Sequence, residues 1–125
     1  MSRRILSVDD DPMVRTLVRT ILEASQFEVL SAASGTEAIK LLDGEERPID
    51  ISCIILDVQM PDMNGFDLLT RLKLHADTQN IPVIMLTCQG SNDDVMSGYN
   101  MGAQYYITKP FTREQLLKGI NLVTA

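Results

Sequence analysis

Asp57 closes an apolar run, Ile51-Ser52-Cys53-Ile54-Ile55-Leu56, and opens a polar turn that ends at Asn64-Gly65. A carboxylate at the carboxyl end of a hydrophobic strand sits where open α/β sheets place their chemistry. Three other runs have the same shape. Ile5-Leu6-Ser7-Val8 leads into Asp9-Asp10-Asp11, Val83-Ile84-Met85-Leu86 leads into Thr87, and the short Tyr105-Tyr106-Ile107-Thr108 leads into Lys109-Pro110. If these strands lie parallel in one sheet, Asp9, Asp10, Asp57, Thr87 and Lys109 meet at one rim. Carboxylate and carbonyl oxygens without His or Cys select a hard cation, and a partly hydrated octahedral site suits Mg²⁺, with Mn²⁺ as the alternative. The main-chain carbonyl of Gln59, just past Asp57, is placed to complete such a site. Lys109 would offset the acidic charge or hold a second anion, and Thr87 offers a hydroxyl donor. A carboxylate, a divalent metal, an ammonium and a hydroxyl suit phosphoryl transfer with the carboxylate as nucleophile. Each residue also has a structural reading: an Asp after a strand is as often a turn or cap residue, and Thr87 could simply cap its loop. Their recurrence at the ends of successive strands carries the chemical reading.

The elements that must position them alternate. Strand-like runs begin near Arg4, Phe27, Ile51, Pro82 and Gln104, and each interval holds one strand, one helix and two short loops. That is the βαβ pattern of a parallel sheet. After Pro12, the residues Val14, Leu17, Val18, Ile21 and Leu22 form one apolar helical stripe. Asp11 is expected to open this helix rather than to bind metal, because negative charge favours a helix start. Ser34-Gly35-Thr36-Glu37 is a capping box for a second helix, with Ile39 and Leu42 inward and Gly44 as its stop. Asn64-Gly65 leads into a third helix carrying Phe66, Leu69 and Leu72. Ser91-Asn92-Asp93-Asp94 begins a fourth that ends near Gly102, and Thr112-Arg113-Glu114-Gln115 caps a fifth with Leu116, Ile120 and Val123 on one face.

Composition narrows the classes. The 125 residues are 45% hydrophobic and 22% charged, ordinary for one globular domain. The apolar runs are strand-sized, so no membrane span is expected, and no signal-peptide-length run follows Met1-Ser2-Arg3-Arg4, which reads as a cytoplasmic protein. A net charge of −6 argues against nucleic acid as a direct ligand. Part of that charge is the acidic cluster, which calls for a cation. Cys53 and Cys88 set no disulfide framework and read as reduced thiols in or beside buried strands. His75, late in the third helix, is a poor candidate for a ligand.

Val8-Asp9-Asp10, Asp57 followed by Met60-Pro61 and Gly65, Thr87, and Tyr106 with Lys109-Pro110-Phe111 together resemble the receiver domain of two-component response regulators. The resemblance covers essentially the whole chain, which is close in length to single-domain chemotaxis regulators. It implies a flavodoxin-like α/β fold: a five-stranded parallel sheet in order 2-1-3-4-5 with helices on both faces. Residues 1–125 would be a single receiver domain, either a complete protein or the N-terminal domain of a longer response regulator.

The same resemblance implies that Asp57 accepts phosphate from a phosphohistidine. Asp10, Asp57 and the Gln59 carbonyl would bind Mg²⁺ directly, with Asp9 acting through water. Lys109 and Thr87 would bond the phosphoryl oxygens, the Lys109–Pro110 peptide would be cis, and Tyr106 would be the switch aromatic that follows Thr87. Gln59 and Gln89, two residues past Asp57 and Thr87, would tune dephosphorylation by positioning or obstructing the attacking water. Cys88 reads as a packed thiol in preference to a redox-active one. Arg15 and Arg19 fall near the face receivers present to kinases, and a solvated face is an equal reading. Implied partners are a histidine kinase or phosphotransfer protein and a downstream effector, with no nucleic acid or membrane bound directly. The domain would be a monomer or a phosphorylation-induced dimer. Gln104-Tyr105 stands where transcription-factor receivers that dimerise through this face carry an acidic pair.

The resemblance describes a signalling switch, not an enzyme turning over external substrates. A haloacid-dehalogenase-type phosphohydrolase would need a second Asp where Gln59 stands. A receiver working without phosphorylation would usually lack one of these residues. A flavin carrier would not place three Asp residues after its first strand.

Overall fold

The computed structural model describes residues 3–58, 60, 62–88 and 102–124, with only the main chain of residue 88. The elements are β1 (Arg4–Val8), α1 (Pro12–Ala24), β2 (Glu28–Ala32), α2 (Gly35–Asp43), β3 (Cys53–Asp57), α3 (Gly65–Leu74), β4 (Val83–Cys88), β5 (Tyr105–Lys109) and α4 (Arg113–Thr124). All strand pairs are parallel, in the order β2-β1-β3-β4-β5. The expected sheet order is the observed one. The helix expected from Ser91 lies outside the described residues, so α4 is the fifth helix of the sequence pattern.

Strand alternation divides the core into two layers. Leu6, Val8, Ile54, Leu56 and Met85 pack with Ala38 and Leu42 of α2 and with Leu68, Leu69 and Leu72 of α3. Ile5, Cys53, Ile55, Ile84 and Leu86 pack on the other face with Val18, Ile21 and Leu22 of α1 and with Leu116 and Ile120 of α4. Consecutive strand residues point to opposite faces, so a strand covered on both sides must be apolar throughout. β3, in the middle of the sheet, is buried at all five positions. Full burial of each of its large aliphatic side chains contributes about 2 kcal/mol.

The helix starts follow their local signals. Asp11 caps α1, its side chain accepting from the Met13 amide at 2.9 Å, with Pro12 at the first helical position. Ser34 Oγ accepts from the Glu37 amide at 3.1 Å. Asn64 Oδ1 accepts from the Phe66 amide at 2.7 Å. At α4 the capping box is reciprocal: Thr112 Oγ1 accepts from the Gln115 amide at 3.1 Å, and Gln115 Oε1 accepts from the Thr112 amide at 2.9 Å.

One expectation is corrected. Leu17 does not belong to the buried stripe of α1; it is 46% exposed beside Met13, which is 79% exposed. The sheet covers only the width spanned by Val18, Ile21 and Leu22, and Leu17 lies on the flank that Met13 extends. Gly44 caps the last turn of α2, as expected, and does so at φ −80° and ψ −9°.

β5 joins the two layers through adjacent tyrosines. Tyr106 packs against the α2–α3 layer, while Tyr105 packs against the α1–α4 layer. There Gly119 of α4 lies so close that a β-carbon would meet the Tyr105 ring at 3.1 Å and Ile107 Cδ1 at 3.0 Å.

Candidate functional site

The register brings the rim residues together. Val8 pairs with Leu56, so Asp9 follows β1 beside Asp57, and Asp57 in turn pairs with Leu86, the neighbour of Thr87. Cys88 pairs with Lys109 on β5. Asp9 and Asp57 are buried, Thr87 is buried, and Asp10 is exposed. Asp9, Asp10 and Asp57 each offer a carboxylate oxygen, and the three atoms lie within 4.8 Å of one another. An all-oxygen anionic donor set of this kind fits Mg²⁺.

Lys109 Nζ bridges the two buried acids, at 3.0 Å from Asp9 Oδ2 and 3.1 Å from Asp57 Oδ1. The Lys109–Pro110 peptide is cis, as is Arg47–Pro48. Burial works against the charge on Lys109. The hydrogen bond to Asp9 and the fields of Asp57 and Asp9 outweigh it and hold the ammonium above the ordinary lysine value.

A raised lysine pKa contributes stability that is complete below the unfolded value, about 10.4, and lost as pH rises through the folded value. Lys109→Met should therefore cost about 3 kcal/mol in metal-free urea unfolding near neutral pH, as when one partner leaves a buried pair. Its stability should also fall less than that of the parent between neutral pH and pH 11. Mg²⁺ should recover part of the loss, because it supplies the missing cation. Equal alkaline curves for the two proteins would exclude this role for Lys109.

The loops holding the acids have anchors that sequence reading missed. Arg15 Nη1 donates to the Asp9 carbonyl at 2.7 Å, and Arg19 Nη2 donates to Ser31 Oγ at 3.0 Å, so both α1 arginines are engaged within the fold. Asp9 Oδ1 also accepts from the Asp11 amide at 2.9 Å. After β3, the Gly65 amide donates to the Val58 carbonyl at 2.8 Å. A β-carbon on Gly65 would lie 2.2 Å from the Asp57 carbonyl oxygen. Glycine is required there because α3 begins against the main chain of the Asp57 segment.

Farther along this loop, Asp62 reaches α2: it accepts from the Gly35 amide at 3.3 Å, the Thr36 amide at 3.0 Å and Thr36 Oγ1 at 2.7 Å. The Thr36 amide and hydroxyl hold its carboxyl below the usual carboxylate value. Its contribution is thus present above about pH 3.9 and fades as pH falls through the lowered folded value. No local sequence signal links residues so far apart.

Tyr106 is half-buried. Gln59, Gln89 and the side chain of Cys88 lie outside the described residues. His75 caps the C-terminus of α3 and is no part of the acidic cluster. Burial pushes the Cys53 thiol up to about 12, which leaves it un-ionised and inert at neutral pH.

Residues 5–121 match the family model described as the response regulator receiver domain. The chain belongs to the receiver domain family of response regulators. This receiver domain is 39% identical over 119 residues to the transcriptional regulatory protein SrrA of Staphylococcus aureus, covering 94% of the chain but 46% of that relative. It thus spans less than half the length of that curated relative. The chemotaxis response regulator CheY4 of Vibrio cholerae superposes with a TM-score of 0.89 at 32% identity, covering 98% of this chain and 99% of that one. A response regulator receiver domain protein from Clostridium thermocellum superposes at 0.88 with 32% identity, covering 98% and 94%. Among the described residues, no helix is long and apolar enough to cross a membrane.

Proposed function

We propose that this receiver domain is a phosphorylation-operated switch in which Asp57 takes a phosphoryl group from a phosphohistidine on a histidine kinase or phosphotransfer protein. The observation that carries the reading is Lys109 Nζ within 3.1 Å of both Asp9 and Asp57, inside a cluster of three carboxylates. An Asp57 oxygen forms the new O–P bond as the donor's N–P bond breaks, and the electron pair leaves with the imidazole nitrogen. Asp10, Asp57 and the Gln59 carbonyl would hold Mg²⁺, with Asp9 acting through water. Bound there, the ion would neutralise charge on the transferring group. Lys109, already beside Asp57, exchanges a carboxylate partner for a phosphoryl oxygen, and Thr87 donates its hydroxyl to another. Tyr106 then responds to the new position of Thr87, and an effector reads that face. Gln59 and Gln89 tune the attack of water that resets the switch.

The kinase or phosphotransfer partner docks on the flank of α1 next to the rim, where Met13 and Leu17 are exposed. Residues 1–125 act in the cytoplasm as one receiver unit, as a monomer or a phosphorylation-induced dimer. Catalysis is confined to the domain's own phosphorylation and dephosphorylation. Incubation with acetyl phosphate and Mg²⁺ should give an alkali-labile adduct that chelation prevents. No adduct from acetyl phosphate, phosphoramidate or a phosphorylated histidine kinase would overturn the proposal.

A further inference from the structure

The first turn of α2 has its donors divided between two acceptors. Ser34 Oγ takes the Glu37 amide, whereas the Gly35 and Thr36 amides go to Asp62, which lies in the loop after Asp57. Thr36 adds its hydroxyl to the same carboxylate at 2.7 Å. Helix amides with a free first turn favour an anion, and these bonds to a carboxylate are charge-assisted. A second contact joins the same two segments: a β-carbon on Gly35 would lie 2.5 Å from Met63 Cγ, so the Met63 side chain rests against the first residue of α2. Two described parts of the segment between β3 and α3 are therefore anchored: Val58, whose carbonyl accepts from the Gly65 amide, and Asp62 with Met63, which sit on α2. Asp62 is not itself in the acidic cluster of Asp9, Asp10 and Asp57.

We infer that Asp62 and Thr36 are positioning residues for the cation site: their tie to α2 holds the loop that follows Asp57 in the conformation that receives Mg²⁺. The inference rests on the phosphoacceptor reading of Asp57, since that reading places a main-chain carbonyl of this loop, at Gln59, among the metal's ligands. Asp62 acts on affinity for the cation and not on the chemistry at Asp57, because it touches neither the metal-binding carboxylates nor Lys109. Partners that orient a metal's ligands typically change metal affinity by about tenfold or more when removed.

The test is a titration with Mg²⁺ alone, followed by amide chemical shifts, in the parent chain, Asp62→Ala, Asp62→Asn, Thr36→Val and Thr36→Ser. Asp62→Ala should raise the Mg²⁺ Kd about tenfold. Thr36→Val, which removes one hydrogen bond and keeps both amides, should raise it about threefold. Asp62→Asn, which keeps one acceptor oxygen, should fall between the parent and Asp62→Ala, and Thr36→Ser should restore parental affinity. At saturating Mg²⁺ the rate of phosphorylation by acetyl phosphate should return to within about twofold of the parent in every variant, since the effect lies in binding. An unchanged Mg²⁺ Kd in Asp62→Ala, or a rate deficit that saturating Mg²⁺ does not repair, would overturn the inference. Should Asp62→Ala fail to fold, the Thr36→Val and Thr36→Ser pair decides by the same criterion. A parent chain that binds no Mg²⁺ sinks the phosphoacceptor reading together with this one, whereas equal Kd values across binding-competent variants sink this one alone.

Discussion

Asp57→Asn, offered acetyl phosphate and Mg²⁺, is expected to form adduct on the order of a thousandfold more slowly than the parent, or not at all. Asparagine keeps the shape of aspartate at the buried end of β3, so packing against the neighbouring strands is preserved. What it lacks is an ionised oxygen. A neutral amide oxygen is a poor nucleophile toward phosphorus, and it is also a weaker ligand for a hard cation. The fold should survive. Lys109 retains its bond to Asp9 at 3.0 Å, and removing one of three clustered carboxylates relieves repulsion among them. Urea unfolding without Mg²⁺ should therefore show the variant as stable as the parent or more so, while Mg²⁺ should stabilise it less. Mass spectrometry of the intact chain reads the adduct. Parental labelling of Asp57→Asn would move the phosphoacceptor to another residue.

Gly65→Ala carries the second large effect, and it acts on the fold first. A β-carbon at this position would stand 2.2 Å from the Asp57 carbonyl oxygen, 2.9 Å from Val58 Cα and 3.0 Å from the Asp57 carbonyl carbon. All three are main-chain atoms, so no side-chain rotation can make room. Either α3 retreats, stretching the bond between the Gly65 amide and the Val58 carbonyl, or the end of β3 shifts and carries Asp57 with it. Overpacking against backbone costs about 3 kcal/mol, a large share of a small domain's stability. The matched comparison is Gly44→Ala, where a β-carbon would meet nothing closer than 3.5 Å and φ is already −80°. That substitution should be neutral or stabilise by about 0.5 kcal/mol. Equal urea midpoints for the two variants would refute the steric account.

The strands and helices were legible because the signals that specify them are local or periodic, whereas the order of the strands came from the resemblance to receiver domains. Leu6 and Ile5, or Ile54 and Ile55, reveal by alternation that both faces of a strand are covered. Ser34, Asn64 and Thr112 mark helix starts through bonds to residues two or three positions away. The convergence of Asp9, Asp57 and Lys109 was legible for a different reason: parallel strands deliver all their carboxyl ends to one edge. Periodicity says which side of an element is apolar, but not how wide a surface its partner offers, and Leu17 shows the difference. It also cannot report which side chain reaches a helix start or a loop carbonyl, so Asp62 on α2 and Arg15 on the Asp9 carbonyl had no signature. Gly65 was visible as part of a motif. The reason it must be glycine, the main chain of Asp57 lying against it, required the packed structure.

β5 has one clamped tyrosine and one on the opposite face. Tyr105 is pinned where Gly119 brings α4 against its ring, Lys109 is pinned by two carboxylates, and the strand between them is laddered to β4. Shifting the strand itself would disrupt all three attachments together. In the proposed switch β5 would therefore be a fixed axle, and Tyr106 would move by torsion about its own Cα–Cβ bond. Torsion about that sp³–sp³ bond settles in discrete staggered wells. On the proposed reading, a message leaving through Tyr106 would be digital in each molecule, and a graded response would come from the fraction of molecules in each position.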